Sequence, residues 1–249
     1  MKYLIASDIH GSAYYCEKLL EQFEKQNADK LILLGDILYH GARNDPPFGY
    51  EPKVVIDMLN DISDKIICVR GNCDSDVDQT VLEFPIMAEY ALMPYKDKTI
   101  LITHGHKYGK DNYKTYDNVM NAYKEALAAY NNKDSIVNNN EMPIKPDLQP
   151  LPFLNAGDIL LQGHTHVSGF REMPNGAINV NPGSISLPKS GSSHGYMTFE
   201  DGLFIRYNLN GSAEEKYNMN QVAEPDQIAA NETNADSVEE NAANETSAE

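Results

Sequence analysis

Apolar positions along this chain fall into two rhythms. Residues 2–8, whose apolar run is Tyr3-Leu4-Ile5-Ala6, predict a first strand. After Gly11-Ser12 the spacing changes: Cys16, Leu19, Leu20 and Phe23 fall at i, i+3, i+4 and i+7, the core-facing stripe of a helix with Ser12 as its N-cap. Leu31-Ile32-Leu33-Leu34 is a continuous apolar run ending in Gly35-Asp36, which reads as a buried parallel strand. A Gly-, Pro- and Asn-rich loop, Ile37 to Tyr50, follows. Val54, Val55, Met58 and Leu59 then mark a second helix, with Pro52 near its first turn, where a missing N–H costs little. Lys65 to Val69 is a third strand. Strand, helix, strand, helix, strand indicates parallel pairing with right-handed crossovers.

Further on the pattern becomes strand-rich. Phe84 to Leu92 and Thr99 to Thr103 read as neighbouring strands, Ile159 to Gln162 as a short buried one, and Ala177 to Val180 as another. Two alternating runs, Tyr196–Glu200 and Leu203–Tyr207, flank Asp201-Gly202, a strong hairpin signal. The expected whole is an α/β fold of two facing sheets with helices outside, spanning residues 1–209. Two stretches stand apart from it. An insertion at about 112–155 holds a Tyr-rich helical segment, Tyr116 to Tyr130, and an Asn- and Pro-rich run, read as a cap that gates substrate size or as a surface excursion. Residues 210–249 read as an acidic tail too poor in apolar residues to fold.

Charge narrows the function. The formal net charge is -17, and the last 29 residues contribute eight acidic groups and no basic ones. Bulk binding to nucleic-acid backbones, which needs clustered Lys and Arg, is not expected. No apolar run approaches a membrane span, so no membrane association is expected either. The short apolar start does not resemble a secretory leader, and three cysteines without paired spacing suit a reducing compartment, so a cytoplasmic protein is expected. A homo-oligomer is compatible with all of this.

The chemistry lies at the ends of the apolar runs. Asp8-Ile9-His10, Asp36, Gly71-Asn72-Cys73-Asp74, His104-Gly105-His106 and Gly163-His164-Thr165-His166 place carboxylate, imidazole and amide groups where an open sheet binds ligands. Any one of these is weak evidence, because a lone His after a strand is more often a hydrogen-bonded structural residue. Five in one chain point to a site for one or two divalent metals. Asp36 can give one oxygen to each of two ions about 3.5–4 Å apart, a spacing suited to clamping a phosphoryl group. Asp8 and His10 would serve one ion, Asn72 with imidazoles the other. Oxygen and nitrogen donors favour Mn, Fe or Zn.

Asp8-x-His10, Gly35-Asp36 through Gly41, Gly71-Asn72, His104-x-His106 and Gly163-His164-Thr165-His166 together resemble the ordered signature of the calcineurin-like metallophosphoesterase superfamily. Residues Gly35 to Asn44, Gly71 to Asp74 and Asn181-Pro182-Gly183-Ser184 further resemble its YfcE-like bacterial phosphodiesterases. The resemblance implies a four-layer αββα sandwich of two mixed sheets. It also implies a Mn2+-dependent phosphodiesterase, with Fe, Zn, Ni or Mg as other candidate ions, acting on small or nucleotide-like diesters by in-line attack of a metal-bridging hydroxide. By motif, Asp8, His10, Asp36 and His166 would bind the first metal, and Asp36, Asn72, His104 and His164 the second. Cys73 stands where the wider superfamily commonly has a His acting as general acid, which leaves the leaving-group acid unnamed. Cys73 and His106 join Asp36 and Asn72 as catalytic candidates, and His40, Arg43 and Asn44 are candidates for substrate contact. The alternatives are a phosphomonoesterase or protein phosphatase on the same dinuclear site, and a non-catalytic scaffold like the retromer subunit of similar fold.

Overall fold

The structure is a computed structural model that describes residues 1–131, 142–146 and 151–221. Its first sheet has six strands in the order β11-β10-β9-β1-β2-β3. They are β1 (Tyr3–Ala6), β2 (Lys30–Leu33), β3 (Ile66–Cys68), β9 (Gly195–Glu200), β10 (Leu203–Asn208) and β11 (Ala213–Asn218). β1 to β3 pair in parallel, and β9 runs antiparallel to β1. The second sheet runs β4-β5-β6-β8-β7: β4 (Tyr90–Tyr95), β5 (Lys98–Thr103), β6 (Ile159–Leu161), β7 (Gly169–Glu172) and β8 (Ile178–Asn181). Its core is parallel and its edges antiparallel, so both sheets are mixed.

Two helices cover the first sheet. In α1 (Ala13–Lys25) the Ser12 hydroxyl accepts from the Tyr15 N–H as N-cap, and Cys16, Leu19 and Phe23 face inward. In α2 (Pro52–Asn60) Pro52 opens the helix, and Val55 and Leu59 are buried. Leu4, Ala6, Leu31 and Leu33 pack beneath them in one cluster. Strand alternation leaves Ile5 and Ile32 on the other face, fully buried. That face meets the second sheet, where Tyr95 of β4 sits edge-on to Phe199 of β9 at 5.6 Å. On the far side of the second sheet, Leu101, Leu160, Tyr113 and Leu154 form a smaller cluster. Tyr113 belongs to the first turn of α3 (Lys110–Asn131), the helix read from the Tyr-rich stretch.

Three boundaries differ from the sequence pattern. Phe84 to Glu89 is not strand. Pro85 lacks a donor, and the Gln79 side chain takes the ladder's place by accepting from Ile86 N–H and donating to the Leu82 and Phe84 carbonyls. The edge strand β4 tolerates Pro94 near its end. The folded unit also runs past 209 to Tyr217, because β11 extends the first sheet. β11 and β7 lack the two-sided apolar run that identifies a central strand. Residues 222–249, the bulk of the expected tail, and residues 132–141 and 147–150 of the insertion lie outside the described residues.

Candidate metal centre

Each strand of the parallel cores delivers its next residues to one place. Asp8 and His10 follow β1, Asp36 follows β2, Asn72 and Cys73 follow β3, His104 and His106 follow β5, and His164 and His166 follow β6. The chain turns sharply there: Asp8, His10, Asp36, His164 and His166 have φ of 58°, 52°, 55°, 66° and 61°. Left-handed backbone at residues with a Cβ costs about 1 kcal/mol each, and such strain gathers at functional sites. Gly71 and Gly163 are required for close approach. A Cβ on Gly71 would collide with the Asp36 carboxylate, and one on Gly163 with the Ser7 hydroxyl.

Three imidazoles are oriented in the same way. The Nδ1–H of His10 donates to the Tyr39 carbonyl at 2.8 Å, that of His104 to Leu34 at 2.7 Å and that of His166 to Leu187 at 2.6 Å. Carbonyl oxygens only accept, so each Nδ1 carries a proton and each Nε2 faces the centre, as a lone pair whenever the ring is neutral. There, His10 Nε2 lies 3.2 Å from His166 Nε2, 3.6 Å from Asp8 Oδ1 and 3.8 Å from Asp36 Oδ2. His104 Nε2 lies 3.5 Å from the same Asp36 Oδ2 and 3.1 Å from Asn72 Oδ1. His166 Nε2 is 3.2 Å from Asp8 Oδ1. Asp36 Oδ2 thus stands between the two imidazoles. The donor atoms form three overlapping trios, each within 4.8 Å: Asp8–His10–His166, Asp8–Asp36–His104 and His10–Asp36–Cys73.

This arrangement fits divalent metal. Asp8 is fully buried, and its Oδ1 makes no regular hydrogen bond, facing the Nε2 atoms of His10 and His166 instead. Nitrogen lone pairs converging on two carboxylates repel unless a proton or a cation lies among them. Without metal, protons take that part. Burial alone would lower the pKa of His104, yet its hydrogen bond to Asp36 and the charges of Asp8 and Asp36 raise it to about 9. His10 is raised in the same way, burial opposing and Asp8 prevailing. Burial pushes Asp8 and Asp36 up, but the imidazoles outweigh it and hold both carboxyls below their ordinary value.

The remaining expected residues are placed less centrally. His164 donates its backbone N–H to Asp8 Oδ2 at 3.1 Å and presents its ring edge to His104 at 5.1 Å. His106 is half-buried; burial and the neighbouring imidazoles lower its pKa to about 4, and its Nδ1 has no partner. Cys73 is half-buried, its Sγ accepting from Asn72 Nδ2 at 3.2 Å, and burial with the nearby carboxylates pushes its thiol pKa upward. His40 and Asn44 hold each other: His40 Nδ1 donates to the Asn44 carbonyl and Asn44 Nδ2 to the His40 carbonyl. Arg43, in the same loop, is exposed.

Several supporting residues carry no signal of their own in the sequence pattern. The buried Asp74 carboxylate accepts from Asp36 N, Ile37 N and Gly71 N at 2.7–2.9 Å and so pins the ends of β2 and β3 together. Ser7 donates to Asp8 Oδ2 at 2.5 Å, and Ser184 and Ser186 donate to the Asp8 carbonyl. Asn181 donates to the Gly163 carbonyl. Asp74 and Asn181 lie inside recognised motifs, and that is the only hint.

The geometry gathers Asp and His groups able to hold divalent metal at the carboxyl ends of strands from two sheets, as in metal-dependent hydrolases. Residues 1–168 match the calcineurin-like phosphoesterase family, and the chain belongs to it. The chain is 36% identical to phosphodiesterase YfcE of Escherichia coli (strain K12) over 210 residues, 84% of this chain and 93% of that protein. The solved structure of YfcE, a phosphoesterase from E. coli, superposes with a TM-score of 0.70 at 34% identity, covering 88% of this chain and 100% of that one. The two mixed sheets are the metallophosphoesterase fold of that protein, and the chain is an enzyme homologue of a phosphodiesterase with a candidate divalent-metal cluster.

Proposed function

We propose that the chain hydrolyses small or nucleotide-like phosphodiesters at a dinuclear centre. The observation that carries this reading is the Asp36 carboxylate lying between His10 and His104, beside a buried Asp8 oxygen that faces the His10 and His166 rings. Asp8, His10, Asp36 and His166 would hold one ion and Asp36, Asn72, His104 and His164 the other. Two divalent ions, Mn2+ foremost, would supply Lewis acidity and an activated water when bound. The chain's own groups orient the reaction. Imidazoles locked through Nδ1 present fixed lone pairs, and the Cys73 N–H, donating to Asp36 Oδ1 at 2.8 Å, keeps the shared carboxylate from rotating. Cys73 stays a neutral thiol at pH 7 and so adds no negative charge beside an anionic substrate. His106 is neutral as well and offers a hydrogen bond rather than a cation. Arg43 is proposed to meet an outer phosphate oxygen, with His40 and Asn44 fixing its loop.

The phosphomonoesterase alternative is not favoured by the relatives, and a scaffold has no need of a complete donor set. Free Cys16, Cys68 and Cys73 suit the cytoplasm, and no helix among the described residues is long and apolar enough to cross a membrane. The test is paired hydrolysis of bis-p-nitrophenyl phosphate and p-nitrophenyl phosphate after chelation and re-addition of Mn2+, Zn2+, Fe2+, Ni2+ or Mg2+. Metal-dependent diester turnover well above monoester turnover is expected, with Mn2+ most effective. A monoester preference would move the assignment to a phosphatase.

A further inference from the structure

α3 is 22 residues long, yet only Tyr113 of it is buried. α1 and α2 pack on each other, and α3 shares no comparable contact with any described element. Its aromatic residues together with Met120 and Leu127, namely Tyr113, Tyr116, Met120, Tyr123, Leu127 and Tyr130, are spaced 3-4-3-4-3, with a half-buried Val119 beside them. A 3-4 alternation of this kind is the spacing by which one helix packs along another. Tyr113 roots the seam in its own fold, its hydroxyl donating to the Pro152 carbonyl at 2.6 Å. Tyr116, Met120, Tyr123 and Leu127 are half-buried and Tyr130 is exposed. The same side of the second sheet carries exposed Tyr90 and Leu92, in register with Thr103 and Leu101, and Phe153 is 83% exposed.

We propose that α3 is a dimerisation helix that pairs antiparallel with α3 of a second copy of this chain. The flanking positions choose the partner and its direction. On one flank stand Asp117 and Lys124, on the other Val119 and Ala126. A twofold axis near residues 121 and 122 sets Met120 against Tyr123 of the partner subunit and Tyr116 against Leu127 of the partner subunit. It also brings Asp117 opposite Lys124 of the partner subunit, twice by symmetry, and leaves Val119 beside the small Ala126 of the partner subunit. A parallel pair would face Asp117 with Asn112 and Lys124 with Val119, so neither charge would be matched. The apolar seam from Tyr116 to Tyr130 is about 21 Å long, two heptads, and is marginal on its own. Association is therefore expected in the micromolar range.

The experiment is sedimentation equilibrium of the full chain from about 1 to 100 µM, with circular dichroism and diester turnover as checks that each variant is folded. The wild type should show a monomer–dimer equilibrium. Met120→Glu places a charge in the seam and should weaken it at least about a hundredfold. Asp117→Lys makes two repulsive pairs and should weaken it roughly tenfold, and Asp117→Lys with Lys124→Asp should restore it. A wild type that is monomeric at 100 µM overturns the proposal. So does a dimer indifferent to Met120→Glu, or a double variant no tighter than the single one. Loss of thermal stability in Met120→Glu with a monomeric wild type would assign the seam to packing within one chain and likewise overturn it.

Discussion

Asp36 has each of its polar groups committed. Its N–H donates to Asp74, one oxygen accepts from the Cys73 N–H, and the other faces His10 and His104. Asn at this position keeps the volume and the N–H but turns one oxygen into a donor and removes the charge that two cations would share. Asp36→Asn should therefore fold, with a melting temperature within a few degrees of wild type. It should lose diester turnover by at least about a thousandfold and bind one Mn2+ per chain instead of two, read by titration calorimetry. Full turnover in the metal-loaded variant would remove Asp36 from the centre. Asp74 makes the complementary case. It touches no expected ligand atom, yet three buried N–H groups depend on it. Asp74→Ala should cost roughly 3–9 kcal/mol in urea unfolding, since each of the three orphaned donors costs about 1–3 kcal/mol. Asp74→Asn, which keeps an acceptor, should recover part of that.

At the level of elements, what could be read from sequence follows from how each element is buried. β1, β2 and β6 are covered on both faces, so their apolar runs are continuous, and the carboxylates and imidazoles that follow them, which the fold gathers in one place, stood out by position alone. The Asp201-Gly202 turn was equally plain, because both residues must take positive φ, 48° and 83°. β7 and β11 were not legible, since edge strands need no two-sided apolar pattern, and in β11 the first four residues are exposed. The roles of Asp74 and Ser7 were hidden for another reason, as they act only through backbone amides and a neighbouring carboxylate that the fold brings within reach. β11 has an energetic purpose. Glu214 pairs with Arg206, which is 2% exposed, and Arg206 Nη2 donates to the Ser193 carbonyl at 2.8 Å. Glu214→Ala leaves a buried guanidinium without its carboxylate and should cost about 2 kcal/mol, below the value for a fully buried pair because Glu214 keeps some solvent. Calorimetry should show a fall on the order of 5 °C. An unchanged melting temperature would mean that water replaces the carboxylate freely.

At the scale of the whole molecule, the centre joins the two sheets, because Asp8 and Asp36 come from one and His104, His164 and His166 from the other. Whatever holds those groups together also holds the sheets together, so stability should depend on protons when metal is absent. The His104 pKa is raised from 6.5 to about 9 in the folded chain. Its contribution is fully present below about pH 6.5 and disappears as pH rises through about 9, at most about 3 kcal/mol. His10 is raised too and acts in the same direction. Asp8 and Asp36 are lowered, so their contribution is present above their unfolded pKa of about 4 and fades as pH falls below it. Burial and the neighbouring imidazoles lower His106, to about 4, and His164, so their contribution is present above about pH 6.5 and is lost as pH falls below it. The chelated protein should therefore be most stable near pH 6.5 and lose stability steadily to pH 9. With Mn2+ bound, the cation takes the place of the protons: the decline above pH 6.5 should vanish, and binding should release protons in that range. Scanning calorimetry of chelated and Mn2+-loaded protein from pH 5 to 9.5 checks both curves. If the chelated protein melts at one temperature from pH 6 to 9, the imidazoles and carboxylates are not sharing protons, and the electrostatic coupling between the sheets would have to be assigned to other groups.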